Sequence, residues 1–195
     1  MKMLEEIRSN ILLKLEKNLA KDLYYHCLEH TIDVAMQAKR IAIEEGITDK
    51  ESLFLLEIAC LYHDSGFLNT YKDHEVESGT IARKDLGSYD DISPDQVQII
   101  CGIIMATKIP HTPISNLEQV ICDADLDYLG RDDFGPISNN LYRELKAKNF
   151  VANENEWNLI QVKFFKQHHY FTATNKNLRA AIKQQHLELI EATIV

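Results

Sequence analysis

Residues 51–66 read ESLFLLEIACLYHDSG, an apolar run at helical spacing that ends on the adjacent pair His63-Asp64, with Gly66 two residues beyond. Gly66 is expected to turn the backbone there, so that two neighbouring side chains at the end of one helix face a common point. His63 follows Leu56 by seven residues, Ala59 by four and Cys60 by three, which places it on the buried stripe of that helix. Thr48 and Glu51 supply the spacing of a capping box at its start.

Two other stripes carry the same kind of polar residue. In YHCLEHTIDV (25–34), His30 stands four residues before Val34 and eight before Ala38; in CDADLDYLG (122–130), Asp125 stands four after Ile121 and eight after Leu117. An ionised carboxylate in a core costs several kcal/mol unless it is paired or coordinated, and a shared cation removes that cost for all of these groups together. A bundle in which His30 and Asp125 merely hydrogen-bond one another would leave His63-Asp64 unexplained. Imidazole and carboxylate donors suit Mn, Fe, Ni, Co, Zn or Mg. Asp123 is the rival of Asp125, since the two point about 200° apart on a helix and only one can face His30. Asp125 continues the stripe of Leu117 and Ile121, so Asp123 is expected to be exposed or behind the ligands.

Working outward, Leu4, Ile7, Ile11, Leu15 and Leu19 recur at helical spacing, as do Val34, Ala35, Ala38, Ile41 and Ala42. Ser93 to Gln96 and Ser115 with Glu118 read as further helix starts, and Gly46, Gly66, Gly87 and Gly130 read as stops. Trp157, Ile160 and Phe164 are expected on one core-facing stripe, and Leu178, Ile182 and Leu189 on another. No alternating strand pattern, repeat or linker occurs, so the expected fold is all-α. It would be a single helical domain over 1–195, with its motif core at about 24–135 and helices from 136–195 completing the pocket wall.

The chain has 195 residues, 45% hydrophobic and 26% charged, which is ordinary for a globular domain. A net charge of −9 without any Lys/Arg-rich stretch argues against a standing nucleic-acid partner. Cys27, Cys60, Cys101 and Cys122 lack CxxC spacing and are expected to be structural thiols. The first residues do not read as a signal peptide and no run has membrane-spanning length, so the expectation is a cytoplasmic protein with no membrane partner. Neither a P-loop, GxSxG nor GxGxxG motif is found.

The ordered set His30, His63-Asp64, Asp125, with roughly thirty residues before the pair and sixty after it, resembles the HD superfamily of metal-dependent phosphohydrolases. YHCLEHTIDV is similar to the YHNxxHxxDV signature of the cyclic-nucleotide phosphodiesterases of that superfamily, and DADLDYLG to their ADL segment. The resemblance implies an HD-type helical bundle and one or two divalent ions held by His30, His63, Asp64 and Asp125. It also implies that Asp64 bridges to a second ion and that His26 is the general acid. Cys27 departs from the signature, which has Asn there.

DHEVESGTIA (73–82) looks like the segment in which relatives carry a further histidine, here His74; the next one is displaced to His111, between Pro110 and Pro113. His74 and His111 are thus candidates for a second metal or for substrate, Lys108 for a catalytic role, and Arg131 for phosphate binding. His168, His169 and His186 are expected at the surface or at helix caps. The implied reaction is hydrolysis of a phosphate mono- or diester of a nucleotide or similar small molecule by a metal-activated water. A di-iron oxygenase, a nucleotide sensor without turnover and a helical adaptor are the competing expectations.

Overall fold

The structure, a computed structural model, describes residues 2–194. Its helices are α1 (Lys2–Asn18), α2 (Leu28–Glu44), α3 (Lys50–Tyr62), α4 (His74–Leu86), α5 (Pro94–Ala106), α6 (Asn116–Asp125), α7 (Phe134–Ala147), α8 (Glu154–Gln167) and α9 (Ala173–Glu191). Two 3₁₀ turns, Ser65–Leu68 and Asp127–Gly130, follow α3 and α6. Among the described residues there is no strand, and the fold is all-α.

Helix α3 is the axis of the larger apolar cluster. Leu55, Leu56 and the unbroken run Ile58 to Tyr62 are all buried, a pattern found where a helix is covered on nearly every side. Its cover comes from α1, α2, α4, α5 and α6. Ile7, Ile11 and Leu15 of α1 and Val34, Ala38 and Ile41 of α2 pack into this cluster, each large side chain contributing about 1.5–3 kcal/mol by leaving water. A second cluster gathers Tyr25, Leu126, Tyr128, Leu129, Phe134, Phe165, Leu187 and Ile190. The segment 120–129 supplies side chains to both clusters, so the end of α6 stands at their junction.

The helix starts at Ser93 and Ser115 are as expected: Ser93 and Gln96 cap each other reciprocally, and the Ser115 side chain accepts from the Glu118 amide. At α3 the cap is Asp49 rather than Thr48, its carboxylate accepting from the Ser52 amide at 2.8 Å; aspartate is the stronger N-cap. Of the four glycine stops, Gly46 alone is left-handed, at φ 81°. Gly66 and Gly130 are required for close approach instead. A Cβ on Gly66 would lie 2.0 Å from the His74 carbonyl oxygen, and one on Gly130 2.4 Å from that of Arg179.

The Gly66 amide donates to Ser78 Oγ at 2.7 Å, so the turn after His63-Asp64 is pressed onto α4. Gly66→Ala should therefore cost about 1–3 kcal/mol, seen as a fall in melting temperature of roughly 2–12 °C by circular dichroism. An unchanged melting curve would show that this contact does not hold the turn.

The two C-terminal stripes need correction. On α8 the buried positions are Trp157, Gln161 and Phe165, while Ile160 and Phe164 look into a cavity. On α9, Leu178 and Leu189 are exposed, and Asn175, Leu187 and Ile190 face inward. The polar Asn175 outcompetes Leu178 for burial because its side chain bonds to α6 and to the turn after it.

Candidate metal centre

Each expected donor arrives on a different element. His30 comes from the first turn of α2, His63 caps the end of α3, Asp64 follows it into the 3₁₀ turn, and Asp125 ends α6. His30 Nε2 lies 3.3 Å from His63 Nε2, 3.1 Å from Asp125 Oδ1 and 3.4 Å from Asp64 Oδ2. His63 Nε2 is 3.3 Å from Asp64 Oδ2 and 3.6 Å from Asp125 Oδ1. Donor atoms bound at about 2.0–2.2 Å to one small cation have separations of this order.

The second ring nitrogen of His63 donates to the Cys60 carbonyl at 2.7 Å, which leaves Nε2 as the lone-pair face turned to the cluster. Tyr25 packs on the His30 ring, centroids 4.6 Å apart.

Burial opposes charge on His63, but the neighbouring Asp64 and Asp125 carboxylates prevail and push its pKa well up. Burial also works to raise Asp64, and the His63 imidazole reverses this, holding the carboxyl well below the usual range. Asp125 is held low in the same way, chiefly by His30 and His63 against the effect of burial. Asp64 Oδ2 is nevertheless buried without a hydrogen-bond partner. The donor atoms of His30, His63 and Asp125 all lie within 4.8 Å of one another, a set that fits a divalent cation in both donor chemistry and spacing, and the unbonded Asp64 oxygen stands beside the two imidazoles.

His74, at the start of α4, brings Nε2 to 3.4 Å from the other oxygen of Asp64 and 3.6 Å from Glu75 Oε1. Phe67 stands between two imidazoles, its ring 4.1 Å from that of His26 and 4.0 Å from that of His74, both nearly parallel.

His26 is held by a residue that sequence reasoning missed. Glu144 on α7, fully buried, takes His26 Nδ1 at 2.5 Å and the Tyr71 hydroxyl at 2.9 Å on one oxygen. Its other oxygen accepts the amides of Tyr25 at 2.9 Å and His26 at 3.1 Å. Burial favours the neutral acid, but the bond from His26 outweighs it and lowers the Glu144 pKa. No local signal marks Glu144, which looks like any acidic residue on an amphipathic helix 118 positions away.

Other expected site residues stand elsewhere. Lys108 is exposed and pairs with Asp73 at 2.6 Å; it is not among the residues lining the cavity beside the donors, so its catalytic expectation is not supported by its position. Arg131 borders a neighbouring recess with His30 and Asp125, but its guanidinium is taken up by Asp33 and Asp133, both at 2.7 Å, leaving little of its charge for a phosphate. His111 bonds the Thr107 carbonyl at 3.0 Å and lines a separate small cavity with His168 and His169, so His74 rather than His111 reaches Asp64.

Asp123, expected to be exposed or behind the ligands, is fully buried. It accepts from the amides of Phe171 and Thr172, each at 2.8 Å, and from the Thr172 hydroxyl at 2.6 Å, tying the start of α9 to α6. His168 is a helix cap, as expected: it ends α8, its amide donating to the Phe164 carbonyl. It is mostly buried, and burial, with Lys183 beside it, pushes its pKa down to about 3. The four cysteines are free thiols, as expected. No helix among the described residues is long and apolar enough to cross a membrane.

A family model described as the HD domain matches residues 27–127. No curated protein and no solved structure gives a significant match.

Proposed function

Because the chain belongs to the HD-domain family, whose members bind divalent metals and are mostly metal-dependent phosphohydrolases, we propose that it hydrolyses a small phosphate mono- or diester at the His30, His63, Asp64, Asp125 cluster. The observation that carries this is the convergence of those donors around an unbonded, buried carboxylate oxygen. These four residues would hold one cation, and His74, beside the far oxygen of Asp64, would be a donor to a second if two are bound. A bound divalent ion supplies a Lewis acid for phosphoryl oxygens and lowers the pKa of a coordinated water from about 15.7 towards 7.

His26 lines the same cavity and, with Nδ1 committed to Glu144, offers Nε2 to the leaving oxygen as proton donor. Glu144 is its positioning residue: four donors converge on one carboxylate and fix the ring. The apolar side chains around the rest of the cavity keep competing water away from the reacting centre.

Glu144→Gln leaves cation affinity unchanged but lowers kcat about 10²-fold for an alkyl phosphate, whose leaving oxygen needs a proton. The loss shrinks for a nitrophenyl ester, whose leaving group does not. Equal losses for both esters would mean that Glu144 serves the fold alone.

The reading is tested by elemental analysis of the purified protein together with Mn-supplemented hydrolysis of an aryl phosphate monoester and diester. One or two ions per chain, with turnover removed by chelation and restored by Mn, is the expected result. Bound metal without turnover of any ester would transfer the site to a sensor or oxygenase, and absence of metal binding would overturn it.

A further inference from the structure

Beside the donor cluster lies a cavity of about 270 Å³, just under the roughly 300–1,000 Å³ usual for small-molecule sites. Its polar lining residues His26, Asp64, Tyr71, His74, Glu75 and Asp125 belong to the cation cluster or to the Glu144 network. Most of the remaining wall is hydrocarbon, notably Leu129, Leu141, Leu145, Trp157, Ile160 and Phe164 from the 3₁₀ turn, α7 and α8.

The other polar groups on that wall are largely occupied. The Gln161 side chain is engaged at both ends, by Ser138 and Asn158, the Thr107 hydroxyl donates to the Ile104 carbonyl, and the hydroxyls of Tyr25 and Tyr128, which also line the cavity, hydrogen-bond one another. Neither lysine nor arginine appears in the lining. A nucleobase or sugar placed there would bury donors and acceptors with few partners, which is penalised, whereas a hydrocarbon group would gain from leaving water. A polyphosphate would meet no cationic side chain of the Lys/Arg type to neutralise it.

We infer that the organic group of the substrate is a compact apolar one, a single aromatic ring or short alkyl chain, esterified to one phosphate, and not a nucleoside. This rests on the phosphohydrolase reading for the phosphate end and on the wall chemistry alone for the other. The wall is built mostly by residues beyond 127, outside the stretch matched by the family model, so it is a property of this chain's own C-terminal helices.

Trp157 is the one tryptophan of the chain and lines the cavity, so its fluorescence reports occupancy without any turnover. Mn-loaded protein is titrated with methyl-, butyl- and phenylphosphonate, which cannot be hydrolysed at the ester position, and with a nucleoside 5′-monophosphate. In parallel, kcat/KM is measured for methyl, butyl and benzyl phosphate and for the nucleotide. Affinity and kcat/KM should rise about fourfold per added methylene until the cavity fills, and benzyl phosphate should exceed the nucleotide about 100-fold or more.

Ile160→Gln, at a half-exposed position that can take a polar side chain, should collapse the benzyl-to-methyl preference about tenfold. Nucleotide turnover equal to or above that of benzyl phosphate would overturn the inference and leave the phosphohydrolase reading standing. Tight phenylphosphonate binding at Trp157 without turnover of any ester would do the reverse.

Discussion

Asp64→Asn should lower kcat/KM for phosphate ester hydrolysis by at least about 10³-fold, some 4 kcal/mol of transition-state stabilisation, while leaving the metal-free protein folded. Asp64 faces His30 and His63 through one oxygen and His74 through the other, so on the proposed reading its charge would serve the cation held there. The amide keeps the shape but loses the charge, and presents either N–H groups or one neutral oxygen to the cluster.

Stability should respond differently. The His63 imidazole holds the Asp64 carboxyl well below its usual range, so the amide gives up that attraction and the metal-free melting temperature should fall while the protein stays folded. A cation at about 100 times its dissociation constant adds about 2.7 kcal/mol to the wild-type protein, or roughly 5–11 °C in melting temperature for a chain of this size. In Asp64→Asn that rise should vanish. A variant that kept both the thermal shift and the turnover would place the cation elsewhere.

The largest stability loss is expected at Asp127, which touches no part of the proposed chemistry. This fully buried carboxylate accepts from Arg40 Nη2 at 2.8 Å, Arg179 Nε at 3.0 Å and Asn175 Nδ2 at 3.1 Å on one oxygen, and from Arg179 Nη2 at 3.0 Å on the other. It thereby ties α2 and α9 to the turn that follows α6. Asp127→Ala would strand the largely covered Arg179 guanidinium and leave that of Arg40 with Glu44, Gln37 and Asn175, at a cost of about 3–5 kcal/mol and roughly 6–20 °C in melting temperature. Cation addition should raise the melting point of this variant by the same increment as wild type, because the donor cluster is untouched. A loss below 1 kcal/mol would mean that solvent reaches the two arginines and replaces the carboxylate.

Asp123, Asp125 and Asp127 alternate along five residues and divide three tasks that the sequence alone does not separate. Asp125 joins the donor cluster, Asp123 secures the start of α9, and Asp127 neutralises arginines from two other helices. The stripe argument singled out Asp125 correctly as the one facing His30, because direction around a helix is a local property. It left Asp123 open between exposure and a place behind the ligands, because burial of that face depends on α9, which packs there from about fifty residues further along.

Helix positions, the all-α class and the order of the donors were determined by the sequence itself. Periodicity and capping act within a few residues, and a polar residue that ends an apolar stripe is turned inward wherever that helix packs. The grip of Glu144 on His26, the loss of Lys108 and Arg131 to carboxylate partners, and the hydrocarbon wall beside the donors were decided by the tertiary structure alone. Each of these depends on which distant side chain meets a given face, and neither helical periodicity nor the spacing of a motif carries that information.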